Sequence, residues 1–221
     1  MDTTKTAREP KADLVADSAG VLADAVVKAS GGDNWTRVKT LDFTFNVEQN
    51  GKLLMSAKHH WDVAAGRDTV EWGGKKAEVD VTGSFAINLS EKVDDADTKL
   101  RDQQEAHKRW TNDSYWLLAP LKLRDSGVHL ADKGEQQVEG KTYRVIELSF
   151  GAVGLTPKDK YNLYIDPETS LVVRWDYMPS PDKKMSGTWE NYQDFNGLKL
   201  ATEHRMDDKR IYFTDVRVTT E

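Results

Sequence analysis

The chain has no cysteine in its 221 residues. That excludes disulfides, thiolate metal sites, cysteine nucleophiles and attachment of a lipid through a thiol of this chain. Charge of one sign is also scarce in excess: 31 Lys and Arg stand against 37 Asp and Glu, a net charge of −6. No uniform basic surface is left to attract nucleic acid or anionic headgroups. No apolar run approaches the roughly 20 residues of a membrane-spanning helix, and no apolar segment near the start has the form of a secretory signal. Residues 1–12 are polar, contain Pro10 and lack periodicity; they read as a flexible tail ahead of one domain over residues 13–221.

Catalytic motifs are missing as well. No Gly-x-Ser-x-Gly elbow is present. The stretch from Gly134 to Thr142 resembles a phosphate-binding loop, but with one residue too many between the glycines. A β pattern follows it where a helix should begin, so it reads as a hairpin turn. His59 and His60 are adjacent on an expected strand, point to opposite faces and cannot share a metal; His107, His129 and His204 are isolated. The acidic cluster Asp94, Asp95 and Asp97 lacks calcium-loop spacing; near Glu78 and Asp80, Gly83 is suitably placed, but Thr82 and Leu89 stand where a stronger ligand and the bidentate Glu are needed. Glu71, Glu147, Asp176 and Glu190 are dispersed carboxylates that would act as an acid–base pair only if the fold brought two together. No catalytic residue, metal site or cofactor is assigned.

What the chain does have is aromatic residues: seven Trp, seven Tyr and six Phe, enough for large buried areas. Leu14, Ser18, Leu22, Ala25, Val26 and Ala29 recur at helical spacing, with Asp13 or Asp17 as a cap and Ser30-Gly31-Gly32 as a stop. From Lys39 the period becomes two. Leu41, Phe43, Phe45 and Val47 face one way, Asn50-Gly51 turns the chain, and Leu53, Met55, Ala57, His59, Trp61 and Val63 return on the same face. Short strands around Val70/Trp72, Ala77/Val79/Val81 and Phe85/Ile87/Leu89 follow. A helix capped by Asp94 or Asp95 is expected to run to about Trp110, with a separate short turn capped by Asn112-Asp113-Ser114 and stopped by Pro120. Strands return over 143–150, 161–165, 171–178, 187–192, 198–206 and 210–218. The expected fold is α+β, one long curved antiparallel sheet with helices over its concave face. Phe43, Phe45, Met55, Trp61, Trp72, Phe85, Trp116 and Trp175 are the candidate lining of an apolar ligand cavity there, with the polar Asp95–Trp110 segment as a lid.

Four stretches carry a family resemblance. Gly31-Gly32-x-x-Trp35-x-x-Val38-Lys39-Thr40-Leu41 and Tyr164-Ile165-Asp166-Pro167-Glu168-Thr169-x-Leu171-Val172-Val173-Arg174 resemble the LolA/LolB-like superfamily of outer-membrane lipoprotein-sorting carriers. The run from Asn112 to Leu123 and Val153-Gly154-Leu155-Thr156-Pro157 is similar to a narrower, DUF6503-like branch. The resemblance implies an unclosed half-barrel with helices over its concave side, and export to the periplasm or anchoring at the outer membrane. It also implies an apolar or acyl-chain ligand, with an envelope protein as a further partner. Two readings of other classes stay open: an interaction module with a packed interior, and an enzyme with a dispersed site.

Overall fold

The computed structural model describes residues 12–82, 87–90, 92, 95–151, 159–180 and 182–221, with residues 12–17 and 87 described by backbone alone. The expected tail lies outside these residues apart from Ala12, as do Phe85, Gly83, Asp94 and the Val153–Pro157 motif.

The chain is α+β, with long antiparallel sheets that do not close. Helix α1 (Ala12–Ala29) leads through a short 3-10 turn into β1 (Val38–Gln49), β2 (Lys52–Asp62), β3 (Arg67–Trp72), β4 (Lys75–Asp80) and β5 (Ile87–Leu89). Helix α2 (Ala96–Leu118) follows. Next come β6 (Val128–Val138), β7 (Lys141–Phe150), β8 (Lys160–Ile165), β9 (Val172–Ser180), β10 (Lys183–Thr188), β11 (Glu190–Phe195), β12 (Leu198–Met206) and β13 (Lys209–Thr220). The expected single sheet is divided into two hydrogen-bonded parts. Eight strands run in the order β11-β12-β13-β1-β2-β3-β4-β5, and five in the order β10-β9-β8-β7-β6.

The division occurs at one residue. The stretch 187–192, expected as a single strand, is the end of β10 and the start of β11, broken at Trp189. β10 pairs with β9, while β11 pairs with β12. A strand that changes sheets forms a corner. There Trp189 still donates its backbone N–H to Val173, and Arg205 of β12 donates its own to the Thr188 hydroxyl at 2.9 Å. Gly187 is required by close approach: a Cβ there would stand 2.6 Å from the Trp175 indole nitrogen and 2.7 Å from Met206 Cγ.

α1 ends as expected. Gly31 adopts φ +84° and the chain docks on the β11–β12 hairpin, where Lys199 donates to Ser30 and Asn34 to Gly197. Among its described side chains the buried stripe, however, is Ala19, Ala23 and Val26, and Leu14 lies outside them. Small side chains there let it lie close to β6, where Ser18 donates to Asp132 at 2.7 Å. Leu53 departs from its expected inward position and is 52% exposed, because a register shift after Val47 changes the phase of the hairpin end.

α2 is one helix, not two pieces. Asp95 caps it by accepting from the Thr98 backbone N–H, and Glu105 pairs with Arg109 one turn on at 2.8 Å. Asn112-Asp113-Ser114 lies inside the helix, because Asp113 is engaged across the core by His59 instead of capping. The first half of α2 covers β2–β5, where Ala106 and Trp110 pack on Ala57, Val70, Trp72 and Val79. The second half sends Leu117 and Leu118 into the main core, which joins both sheets.

Gly187→Ala forces the corner apart. It should lower the unfolding free energy by about 1–3 kcal/mol, the usual cost of overpacking, read as a lower urea midpoint with an unchanged slope.

Candidate functional site: an aromatic cavity between the sheets

Where the two sheets diverge from the corner, a cavity of about 340 Å³ is left between them. One wall is the second half of α2, with Thr111, Asn112, Tyr115, Trp116 and the following Ala119. The second is the inner face of the smaller sheet: Leu148, Phe150, Tyr161, Leu163, Trp175, Tyr177 and Met185. The third is Met206, Lys209 and Ile211 of β12 and β13, with Trp189 at the corner. Period-two alternation explains the second wall, because Tyr161/Leu163 and Trp175/Tyr177 each share one face of a strand. The rings brace one another. Trp116 meets Trp175 edge-on at 4.7 Å and stacks against Trp189 at 6.1 Å, while Tyr161 stacks on Tyr177 at 5.1 Å. Asn112 and Met185 are exposed and Lys209 is half-exposed, which marks the mouth.

Of the sequence-predicted lining, Trp116 and Trp175 are on the cavity wall. Phe43, Phe45 and Trp61 do not line it; they are buried in the main core, where Trp61 packs on Trp35 and Trp110. Trp72 belongs to the smaller cluster under α2, and Met55 packs at the edge of the core with its sulfur accepting from Arg109. The expected lid segment Asp95–Trp110 covers β2–β5, whereas the wall begins at Thr111. Alternation alone could not tell which end of a concave face is filled by a helix. The aromatics of β8 and β9 were the available signal.

Two buried histidines hold the surroundings in opposite charge states. His59 of β2 is fully buried, stacked on Phe43 at 4.5 Å, with Nδ1 2.8 Å from Asp68 and Nε2 3.3 Å from Asp113. Burial by itself would lower its pKa. Hydrogen bonds and charge from Asp113 and Asp68 outweigh that and raise it to about 9, so an imidazolium ties α2 to the sheet. His204 of β12 is also fully buried, among Trp116, Trp189 and Phe213. Desolvation lowers its pKa to about 3 against the carbonyls of Thr188 and Trp116, so it stays neutral.

The other polar candidates do not converge. Glu71 pairs with Lys76, Glu147 with Lys133 and Lys160, and Glu190 with Arg205. Asp176 lies on the outer face of its sheet, accepting from Tyr164 and Ser186. The Gly134–Thr142 stretch is the β6–β7 hairpin. Among the described residues no cluster of three His, Asp or Glu side chains is placed to hold a metal.

The histidines set opposite limbs of a pH profile. His59 has a folded pKa above its usual 6.5, so its contribution is full below 6.5 and is lost as pH rises through about 9; the loss is roughly 3 kcal/mol. His204 has a folded pKa below 6.5, so its contribution is present above 6.5 and is lost as pH falls toward about 3. Urea unfolding between pH 5 and 9.5 should therefore peak near 6.5. Asp113→Asn should flatten the alkaline limb, and His204→Phe should shrink the acid one. A profile unchanged by either variant refutes these assignments.

Comparison with known proteins agrees with this architecture. A LolA superfamily protein from Nitrosomonas europaea is 8% identical with a TM-score of 0.55, covering 90% of this chain and 94% of its own. A DUF1329 family protein from Desulfovibrio piger is 12% identical with a TM-score of 0.53, covering 90% and 92%. A putative outer membrane lipoprotein-sorting protein domain from Vibrio parahaemolyticus is 10% identical with a TM-score of 0.52, covering 91% and 94%. At such identities the likeness is one of fold. No curated protein matches. The model of a family of unknown function, DUF6503, matches residues 40–217, and the chain belongs to that family, on a LolA-like half-barrel.

Proposed function

We propose that this is an exported, non-catalytic protein that binds an apolar or lipid-like ligand reversibly in the cavity between its sheets, and that it handles lipid or lipoprotein in the bacterial envelope. The observation that carries the proposal is the cavity itself. Its walls are aromatic and aliphatic, it reaches the surface at one mouth, and its volume lies in the range of small-molecule sites. A sequence selected only for stability would fill such a space, because each unmade contact forfeits dispersion energy. Transfer of an alkyl chain from water into it gains about 0.8 kcal/mol per methylene. The fold shared with a protein described as a lipoprotein-sorting domain supports the same reading.

Two variants test the site. Native mass spectrometry of protein purified without detergent, followed by organic extraction, should show lipid-sized adducts. Ala119→Phe places a ring in the cavity from the α2 wall and should abolish the adducts while far-UV circular dichroism stays unchanged. Trp61→Asp strikes the core away from the cavity and should lower stability first. A bare protein that takes up no lipid on incubation would favour an interaction module with a packed interior.

A further inference from the structure

We infer that the ligand is a single-chain amphiphile whose anionic head, a carboxylate or phosphate, is held at the cavity mouth by Lys209. The inference rests on the reading of the cavity as an apolar ligand site and deepens it. Lys209 is the one charged residue on the lining, and it makes no ion pair among the described residues. Its neighbours are paired: Arg210 with Glu203, and Arg205 with Glu190. Asp208, the nearest acid along the chain, is engaged by Gln49 and Asn50. Lys209 is half-buried at the end of a hairpin, paired with Met206; a lysine so placed covers apolar surface with its stem and keeps its ammonium towards water.

Deeper in, the orphaned polar atoms of lining residues are the Tyr115 hydroxyl and the indole N–H groups of Trp175 and Trp189. All can donate, and none is charged. Their N–H and O–H groups suit an acceptor-rich head. Volume limits the chain. At about 30 Å³ per heavy atom, the share of a water molecule in the liquid, the cavity takes on the order of eleven chain atoms, which is one alkyl chain and not two.

The test titrates the intact protein with dodecanoate, dodecyl phosphate, dodecanol and dodecyltrimethylammonium below their micellar ranges, following tryptophan emission and the stoichiometry by native mass spectrometry. One anion per chain should bind more tightly than dodecanol, and the cation least. Lys209→Gln should weaken the better anion about two- to fivefold, the scale of one partly exposed charge pair, and leave dodecanol unchanged; Lys209→Arg should restore it. Whichever of dodecanoate and dodecyl phosphate binds more tightly identifies the head. Along the alkanoates, affinity should rise about fourfold per methylene and level off near eleven carbons. Equal binding of dodecanol and both anions, or an equal loss of dodecanol in Lys209→Gln, overturns the inference and leaves the apolar site standing. Two chains per protein also overturn it. Failure of all four probes to bind takes down both readings.

Discussion

The break at Trp189 governs the rest of the molecule. One strand begins in the smaller sheet and ends in the larger one, so the two sheets are joined at an edge and are free to splay away from it. Backbone polar groups at such a corner need partners outside the regular ladder, and the bonds through Val173 and Thr188 supply them. The glycine two residues earlier lets the Trp175 ring lie against the backbone. Given that wedge, something must occupy its open side, and α2 does so over only half of its length.

α2 therefore faces two tasks that usually conflict. Its first half closes an apolar surface tightly over β2–β5, with alanines and Trp110 in contact. Its second half packs Leu117 and Leu118 into the main core on one side and holds a wall beside empty space on the other. The buried carboxylate of Asp113 resolves this by reaching the His59 imidazolium from mid-helix. A buried ion pair is a costly way to gain stability, yet it is directional, and it specifies one position for the element that carries it. On the other side, His204 is held neutral beneath Trp116, so no free charge sits under the aromatic wall.

Much of this was legible from the residues. The alternation of Leu41, Phe43 and Phe45, the Asn50-Gly51 turn and the glycine stop at the end of α1 each follow local rules, and the structure bears them out. What escaped was set by long-range contacts. Asn112-Asp113-Ser114 has the composition of a cap, and only a partner 54 residues earlier turns it into helix interior. Leu53 was lost to a bulge. Past Trp189 the apolar phase shifts across Asn191 to Tyr192, a mark that a local bulge would leave as well as a change of sheet. Two of the cavity aromatics, Trp116 and Trp175, were recognised. Tyr161, Tyr177 and Trp189 were not: the clustering of aromatics on β8 and β9 was the local trace, but which concave surface a helix leaves uncovered is decided by tertiary packing.

The register of β1 has a consequence for how the chain reaches this state. β1 lies inside the larger sheet, and one of its two neighbours is the last strand, with Val38 paired to Thr220. The larger sheet must therefore wait for β13, whereas β6 to β10 pair with near neighbours in sequence. Closing so long a loop has an entropic cost that local hairpins escape. The smaller sheet is thus the natural early unit of assembly. Until β13 pairs, β1 presents an edge of unmatched N–H and C=O groups, so the interior of the larger sheet is the last part of it to be secured.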